Sequence, residues 1–378
     1  MDQRPQPLPE AWRNELRTGL ESLGRGEFER AEACFARAHE QAPDRPEVCF
    51  ALGRERLRQG RIDQAESLLR AAVSGDPALL SAAAALARCL GLHRSRFDEA
   101  HEVLDEALRR HGPSPLIDVV RAEILLDEGR MCEAREAAEQ AIAAEEDPRS
   151  TTCEAARAAL ARIHNQDGIA LAQGGALEQA LFSFKRAADL DPRWSSPRVN
   201  MGAAFASLGK RQPARAAFEA AAELDPGSAL ARFNLGLLSR EEGDPRAACD
   251  YLEASLLIDP DLDAARAVLA EIWIDTGDPD RACAVLSERL ERNPADPKAW
   301  TDLGTAMITV GDREGAEACF RQALELEPEH ADACRKLADL LTREGRYLEA
   351  AVLACRGDEL DEPARRRPPT SPPRGDLS

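Results

Sequence analysis

Six histidines, ten cysteines and a surplus of carboxylates are the side chains here that could carry chemistry. The histidines, His39, His93, His101, His111, His164 and His330, stand far apart. None forms the HxxxH or HExxH spacing that sets two imidazoles on one helix face to hold zinc. The cysteines include no CxxC pair, so neither a thiolate metal cluster nor a dithiol redox site is expected. The phosphate-cradling GxxxxGKS/T and GxGxxG loops and the GxSxG nucleophile elbow are missing. Acidic pairs such as Glu145-Glu146 and Glu241-Glu242 fall at helix ends or on helix surfaces, where solvated charge accounts for them. These residues predict no catalytic centre, no metal and no cofactor. The expected class is non-enzymatic.

Composition narrows the partners. The 378 residues carry a net charge of −19, which argues against nucleic acid, because phosphate binding needs a basic face that releases counterions. An acidic surface suits solubility first, and a partner with basic flanks second. No apolar run of membrane-spanning length is present. The start, MDQRPQPLPEAW, lacks the apolar segment of a secretion signal, so a cytoplasmic protein with reduced thiols is expected. Hydrophobic residues make up 44% of the chain but aromatics only 4%, which favours helices packed with Ala and Leu.

The elements that would position any site recur along the chain. An alanine opens the second helix of each unit, at Ala31, Ala65, Ala100, Ala134, Ala180, Ala214, Ala248, Ala282, Ala316 and Ala350. The steps are 34, 35, 34, 46 and then 34 five times. Four residues after the marker stands a large residue, as at Phe35, Leu69, Phe184, Phe218 and Phe320. Twelve before it stands a small one, as at Gly19, Gly53, Gly168, Gly202, Gly236 and Gly304. A turn glycine lies five before, and Pro closes most units twelve after. Small residues let two helices approach, glycine accepts the positive φ that ends a helix, and proline denies a further turn.

The clearest unit, residues 297–330, reads PKAWTDLGTAMITVGDREGAEACFRQALELEPEH. It resembles the tetratricopeptide repeat (TPR), whose pattern is W-x2-L-G-x2-Y, A-x3-F, P. The resemblance implies an all-α superhelix, or solenoid, of about ten helix-turn-helix repeats that acts as a scaffold for protein or peptide. The expected organisation is a disordered tail over 1–11, repeats one to four over 12–148, and repeats five to ten over 149–361. A disordered Pro/Arg-rich tail follows over 362–378. The twelve extra residues between Ala134 and Ala180 predict one long helix over about 151–174, capped by Ser150 or Thr151. Repeat three lacks the turn glycine, and Ala138 leaves repeat four a thin core.

In the TPR family, first helices line a concave groove through repeat positions 2, 5, 9, 12 and 13. On this chain the candidates are Val199, Ala203, Leu230, Phe233, Leu237, Ile274, Thr301, Thr305 and Ile308. Only six of the 25 such positions in repeats five to nine are charged, so the expected ligand is an extended peptide or amphipathic helix with an apolar stripe. Asn200 and Asn234 match the family's groove asparagine. Val199 and Ala203 stand where a C-terminal carboxylate clamp would need polar or basic groups, so that mode is not expected. Self-association through end repeats is the alternative. Cys34/Cys49 and Cys319/Cys334 share repeat positions and are expected to act as apolar filler. The tail carries Arg366-x-x-Pro369-x-x-Pro372, a short polyproline pattern.

Overall fold

The computed structural model describes residues 11–365, with side chains through Gly357. The expected tail over 1–11 lies outside the described residues except for Ala11. The tail's polyproline pattern lies outside them entirely. Twenty α-helices and no strand occupy the described residues. The first eight are α1 (Ala11–Gly24), α2 (Phe28–Gln41), α3 (Pro46–Arg58), α4 (Ile62–Gly75), α5 (Leu80–Arg94), α6 (Phe97–His111), α7 (Pro115–Asp127) and α8 (Met131–Ala144). Next come α9 (Thr151–Gln173), α10 (Leu177–Leu190), α11 (Ser196–Ser207), α12 (Arg211–Leu224), α13 (Ala229–Glu241) and α14 (Pro245–Ile258). The last six are α15 (Asp263–Thr276), α16 (Pro279–Arg292), α17 (Pro297–Val310), α18 (Arg313–Leu326), α19 (Ala331–Arg343) and α20 (Tyr347–Arg365). Odd helices open a repeat and even helices close it.

Two compact units divide the chain. One is Met1–Asp167 with Asp189–Asp191, and the other is Gly168–Ala188 with Pro192–Ser378. The division therefore falls inside α9, whose first turn is capped by the Ser150 hydroxyl accepting from the Cys153 amide at 3.1 Å.

Within each repeat the two helices meet through one contact. A β-carbon placed on Gly19, Gly168 or Gly202 would lie 2.5 Å from the ring of Phe35, Phe184 or Phe218, and one on Gly304 would lie 2.6 Å from Phe320. Those four rings are the largest fully buried side chains. Where the opposing residue shrinks to Leu286 or Ala138, the first helix carries Ala270 or Ala122 in the same cluster. Hole and knob trade volume.

The turns are as regular. All the marker-minus-five positions take positive φ, nine as glycine and one as Ser95, at φ 53°. Repeat three thus keeps the left-handed turn without glycine, and α5 absorbs the extra residue. Outside the core, Glu32, Glu66 and Glu317 on second helices each reach an arginine at the next repeat's turn: Arg61 at 3.4 Å, Arg96 at 2.8 Å and Arg346 at 2.6 Å. Exposed pairs of this kind add little individually. Packing of small against large carries the fold.

Two outcomes follow from this geometry. Phe320→Leu and Gly304→Ala should each destabilise, the glycine change by about 1–3 kcal/mol. Combined, they recreate the alanine–leucine pairing of Ala270 and Leu286, so their joint cost in urea unfolding should fall below the sum. Ser95→Gly should raise stability by roughly 1 kcal/mol, since glycine adopts the left-handed turn without a Cβ clash. A lower denaturation midpoint would contradict that account.

Candidate functional site: the first-helix wall of the second unit

First helices touch one another from repeat to repeat. In the second unit α11 meets α13, α13 meets α15, α15 meets α17 and α17 meets α19, whereas no two second helices make comparable contact among the described residues. The odd helices therefore form a continuous wall, and the sequence-derived candidates all sit on it.

The wall divides them. Val199, Phe233 and Thr301 are core residues, with Phe233 only 4% exposed and Thr301 only 1%. Phe233 packs with Ala248, Leu252, Leu269 and Ile272, so it holds α13 to its neighbours and offers no surface to a ligand. The expectation that Phe233 lines the groove is corrected: the position lies on the right helix but turns into the junction with the next repeat. The Thr301 hydroxyl donates to the Pro297 carbonyl at 2.8 Å, a bond internal to α17. Ala203, Leu230, Leu237, Ile274, Thr305 and Ile308 are half-buried and supply the accessible face.

Charge interrupts that face where α13, α15, α17 and α19 meet. Arg240 donates to Glu271 at 2.7 Å, and Lys298 lies 3.3 Å from the same carboxylate. Burial pushes the Glu271 carboxyl up, but its bonds to Arg240 and Lys298 outweigh this and hold it below the ordinary value. Lys336 donates to the Thr305 hydroxyl at 2.9 Å. Thr305 in turn donates to the Thr301 carbonyl at 2.8 Å. Asp302 stands among these groups with its Oδ2 buried and unpartnered. Burial pushes its carboxyl up to about 6, against the pull of Lys298, Lys336 and Arg289 and with help from Glu271.

Sequence reasoning missed Asp302 and Lys336. Both occupy the repeat position of Asn200 and Asn234, and following that position two and three repeats beyond Asn234 would have found them. Asn234 itself is spent within its helix, donating to the Leu230 carbonyl at 2.8 Å.

Elsewhere, recesses open between second helices. One of about 740 Å³ in the first unit is lined by Asp98, Glu102, Asp105, Glu133 and Arg121, over Leu125 and Ala137. One of about 450 Å³ in the second unit lies over Trp273 between α14 and α16. The cysteines are free thiols. Cys49 donates to the Pro43 carbonyl at 3.0 Å and Cys319 lies 3.7 Å from the Met307 sulfur, so neither engages its sequence-matched counterpart. Burial raises both thiols, Cys319 to about 11, which suits inert filler. Among the described residues no group of three or more His, Cys, Asp or Glu side chains is placed to hold a metal. No helix there is long and apolar enough to cross a membrane.

Paired helices locked small against large, with a wall of first helices, define a TPR array. Tetratricopeptide repeat family models match residues 22–89, and 92–150 with 199–267, and a cilia and flagella-associated protein 70 middle TPR-like domain model matches 267–360. The chain belongs to the tetratricopeptide repeat family and is a protein-interaction scaffold of that kind; such proteins are in general non-enzymatic. Curated protein sequences gave no match. Among solved structures, an IFIT1 monomeric mutant with Gppp-AAAA is 17% identical, covering 85% of this chain and 73% of that one at a TM-score of 0.51. The TPR protein YrrB, described as having an unusual peptide-binding site, is 21% identical over 53% of this chain and 96% of that one, at 0.42. MamA protein is 23% identical over 46% and 94%, at 0.41. Such likeness speaks to fold alone.

Asp302 gives the wall a pH signature. Its folded pKa is raised above the ordinary carboxylate value, so the native state holds the extra proton between about pH 4 and 6. That contribution to stability is complete below pH 4 and is lost as pH rises through 6. Asp302→Asn should therefore stabilise the second unit at pH 7 and remove the gain in melting temperature that protonation of Asp302 gives between about pH 6 and 4. An unchanged pH profile in the variant would show that Asp302 is not the group responsible.

Proposed function

We propose that the chain is an adaptor that binds an extended peptide or amphipathic helix along the concave first-helix wall of the second unit, between Ala203 and Ile308. The observation that carries this reading is the run of half-buried Leu230, Leu237, Ile274 and Ile308 on consecutive, mutually contacting helices. Partly exposed apolar side chains are inexpensive to desolvate, and spacing across neighbouring helices suits a ligand with a periodic apolar stripe. The acidic surface, with its net charge of −19, favours basic flanks on that ligand, which act mainly on the association rate. It disfavours nucleic acid for the same electrostatic reason. A cytoplasmic setting agrees with ten free thiols, six of them buried.

Peptides selected by display against the intact protein supply the probe. Leu237→Asp and Ile274→Asp should each weaken the selected peptides by at least about tenfold. Leu257→Asp, on a second helix and 85% exposed, should leave them unchanged. Circular dichroism checks that each variant folds. Peptides that bind the folded wall variants at full strength would move the site elsewhere.

A further inference from the structure

Thioether sulfur completes a donor set in the second unit that imidazole, thiol and carboxylate alone do not make. Cys319 on α18 donates its S–H to the Met307 thioether on α17, with 3.7 Å between the two sulfurs. Cys283 on α16 packs into the same cluster, with Met307, Leu286 and Leu303. The repeat explains how this third sulfur arrives. Cys283 and Met307 stand 34 residues beyond Cys249 and Trp273, and in that earlier repeat thiol and indole share a hydrogen bond. The equivalent positions on α16 and α17 set Cys283 beside Met307. A charge on Cys283 acts on Cys319, so both thiols border the one thioether. Gly315 leaves the room that thioether needs, for a β-carbon there would lie 2.9 Å from the Met307 Sδ.

We propose that Cys283, Met307 and Cys319 form a binding site for a soft monovalent metal ion, copper(I). Two thiols and a thioether are the donor types that select copper(I), whereas zinc sites combine thiolate with imidazole or carboxylate. The separation fits. With metal–sulfur bonds of about 2.3 Å, two donors of one ion stand roughly 3.8–4.0 Å apart, so the pair at 3.7 Å needs little movement. The ion takes the place of the proton that joins Sγ to Sδ. Binding converts Cys283 and Cys319 to thiolates and sends two protons to solvent, with no electron transferred. Asp280 and Asp312 act on Cys283, and Asp312 also acts on Cys319, so the local field is negative and draws a cation in. Burial shields Cys319, only 4% exposed, from oxidants and alkylating agents, while a soft ion displaces its proton. The half-buried Cys283 gives the way in. Both thiols belong to second helices, so this inference does not depend on peptide binding at the first-helix wall.

The probe is copper(I), kept reduced without oxygen and presented as a complex with a chromophoric chelator. The full chain is titrated against it with Cys132→Ser and Cys355→Ser, which removes the two exposed thiols. One equivalent of copper should pass from chelator to protein, and more tightly as pH rises, because uptake releases protons. Met307→Leu conserves volume and spares both thiols, and circular dichroism checks that the variant folds. It should weaken retention by at least about tenfold, as should Cys283→Ser. X-ray absorption at the copper edge of the chain with Cys283, Met307 and Cys319 intact should show sulfur neighbours alone, a readout independent of those two substitutions. Copper left on the chelator, full-strength retention by folded Met307→Leu, or nitrogen and oxygen neighbours at the metal would each overturn the assignment.

Discussion

The contact between a small residue on a first helix and the side chain sixteen residues on along the second, glycine against phenylalanine in four repeats, fixes how closely paired helices approach. At Gly19, Gly168, Gly202 and Gly304 the partner ring occupies the volume a β-carbon would need. The two backbones come close enough for the ring to be sealed, and that approach fixes where each helix meets the next repeat. Leucine at Leu252 and Leu69 meets Gly236 and Gly53 by the same rule with slacker fit at the second, where a β-carbon would stand 3.1 Å away. Because no repeat buries its own apolar face, these locks act in series, and the first-helix wall is their product.

That wall serves packing and recognition at once, and the two demands compete for the same helices. Phe233 and Val199 go to packing, while Leu230, Leu237 and Ile274 stay half-open. Around Asp302 the competition is unresolved. Its buried oxygen lacks a bond, and burial raises its carboxyl to about 6 although Lys298 and Lys336 are near. Burying an unpartnered carboxylate opposes folding, so the residue sits in a place where stability alone would prefer an amide. An ionised network from Arg240 through Glu271 to Lys298 runs across the same three helices as the apolar residues and interrupts their face.

Much of the architecture was legible in spacing. The marker alanines, the turn glycines and the long α9 with its Ser150 cap follow from local rules that act within a repeat: close approach, left-handed turns and capping. Ser95 shows the limit of that reading, for the turn persists without the glycine that announces it. The accessible face was harder to read. Repeat position assigns a residue to the wall, yet exposure depends on how far the neighbouring helix leans over it, which is set by side chains two helices away. Phe233 and Leu237 occupy successive turns of α13, and only the first is covered. Asp302 was missed for a related reason: its character comes from Lys336, Glu271 and Arg289 on three other helices, none adjacent in the sequence.

The reciprocal sizes at the lock also shape how such a chain can change by descent. Each of the four phenylalanines stands opposite glycine, and the alanines Ala122 and Ala270 stand opposite Ala138 and Leu286. A single replacement on either side leaves a clash or a void, whereas copying a whole 34-residue segment transmits hole and knob together. Duplication is thereby the path of least resistance, and drift within a copied segment is steered toward correlated exchanges at two sites sixteen residues apart.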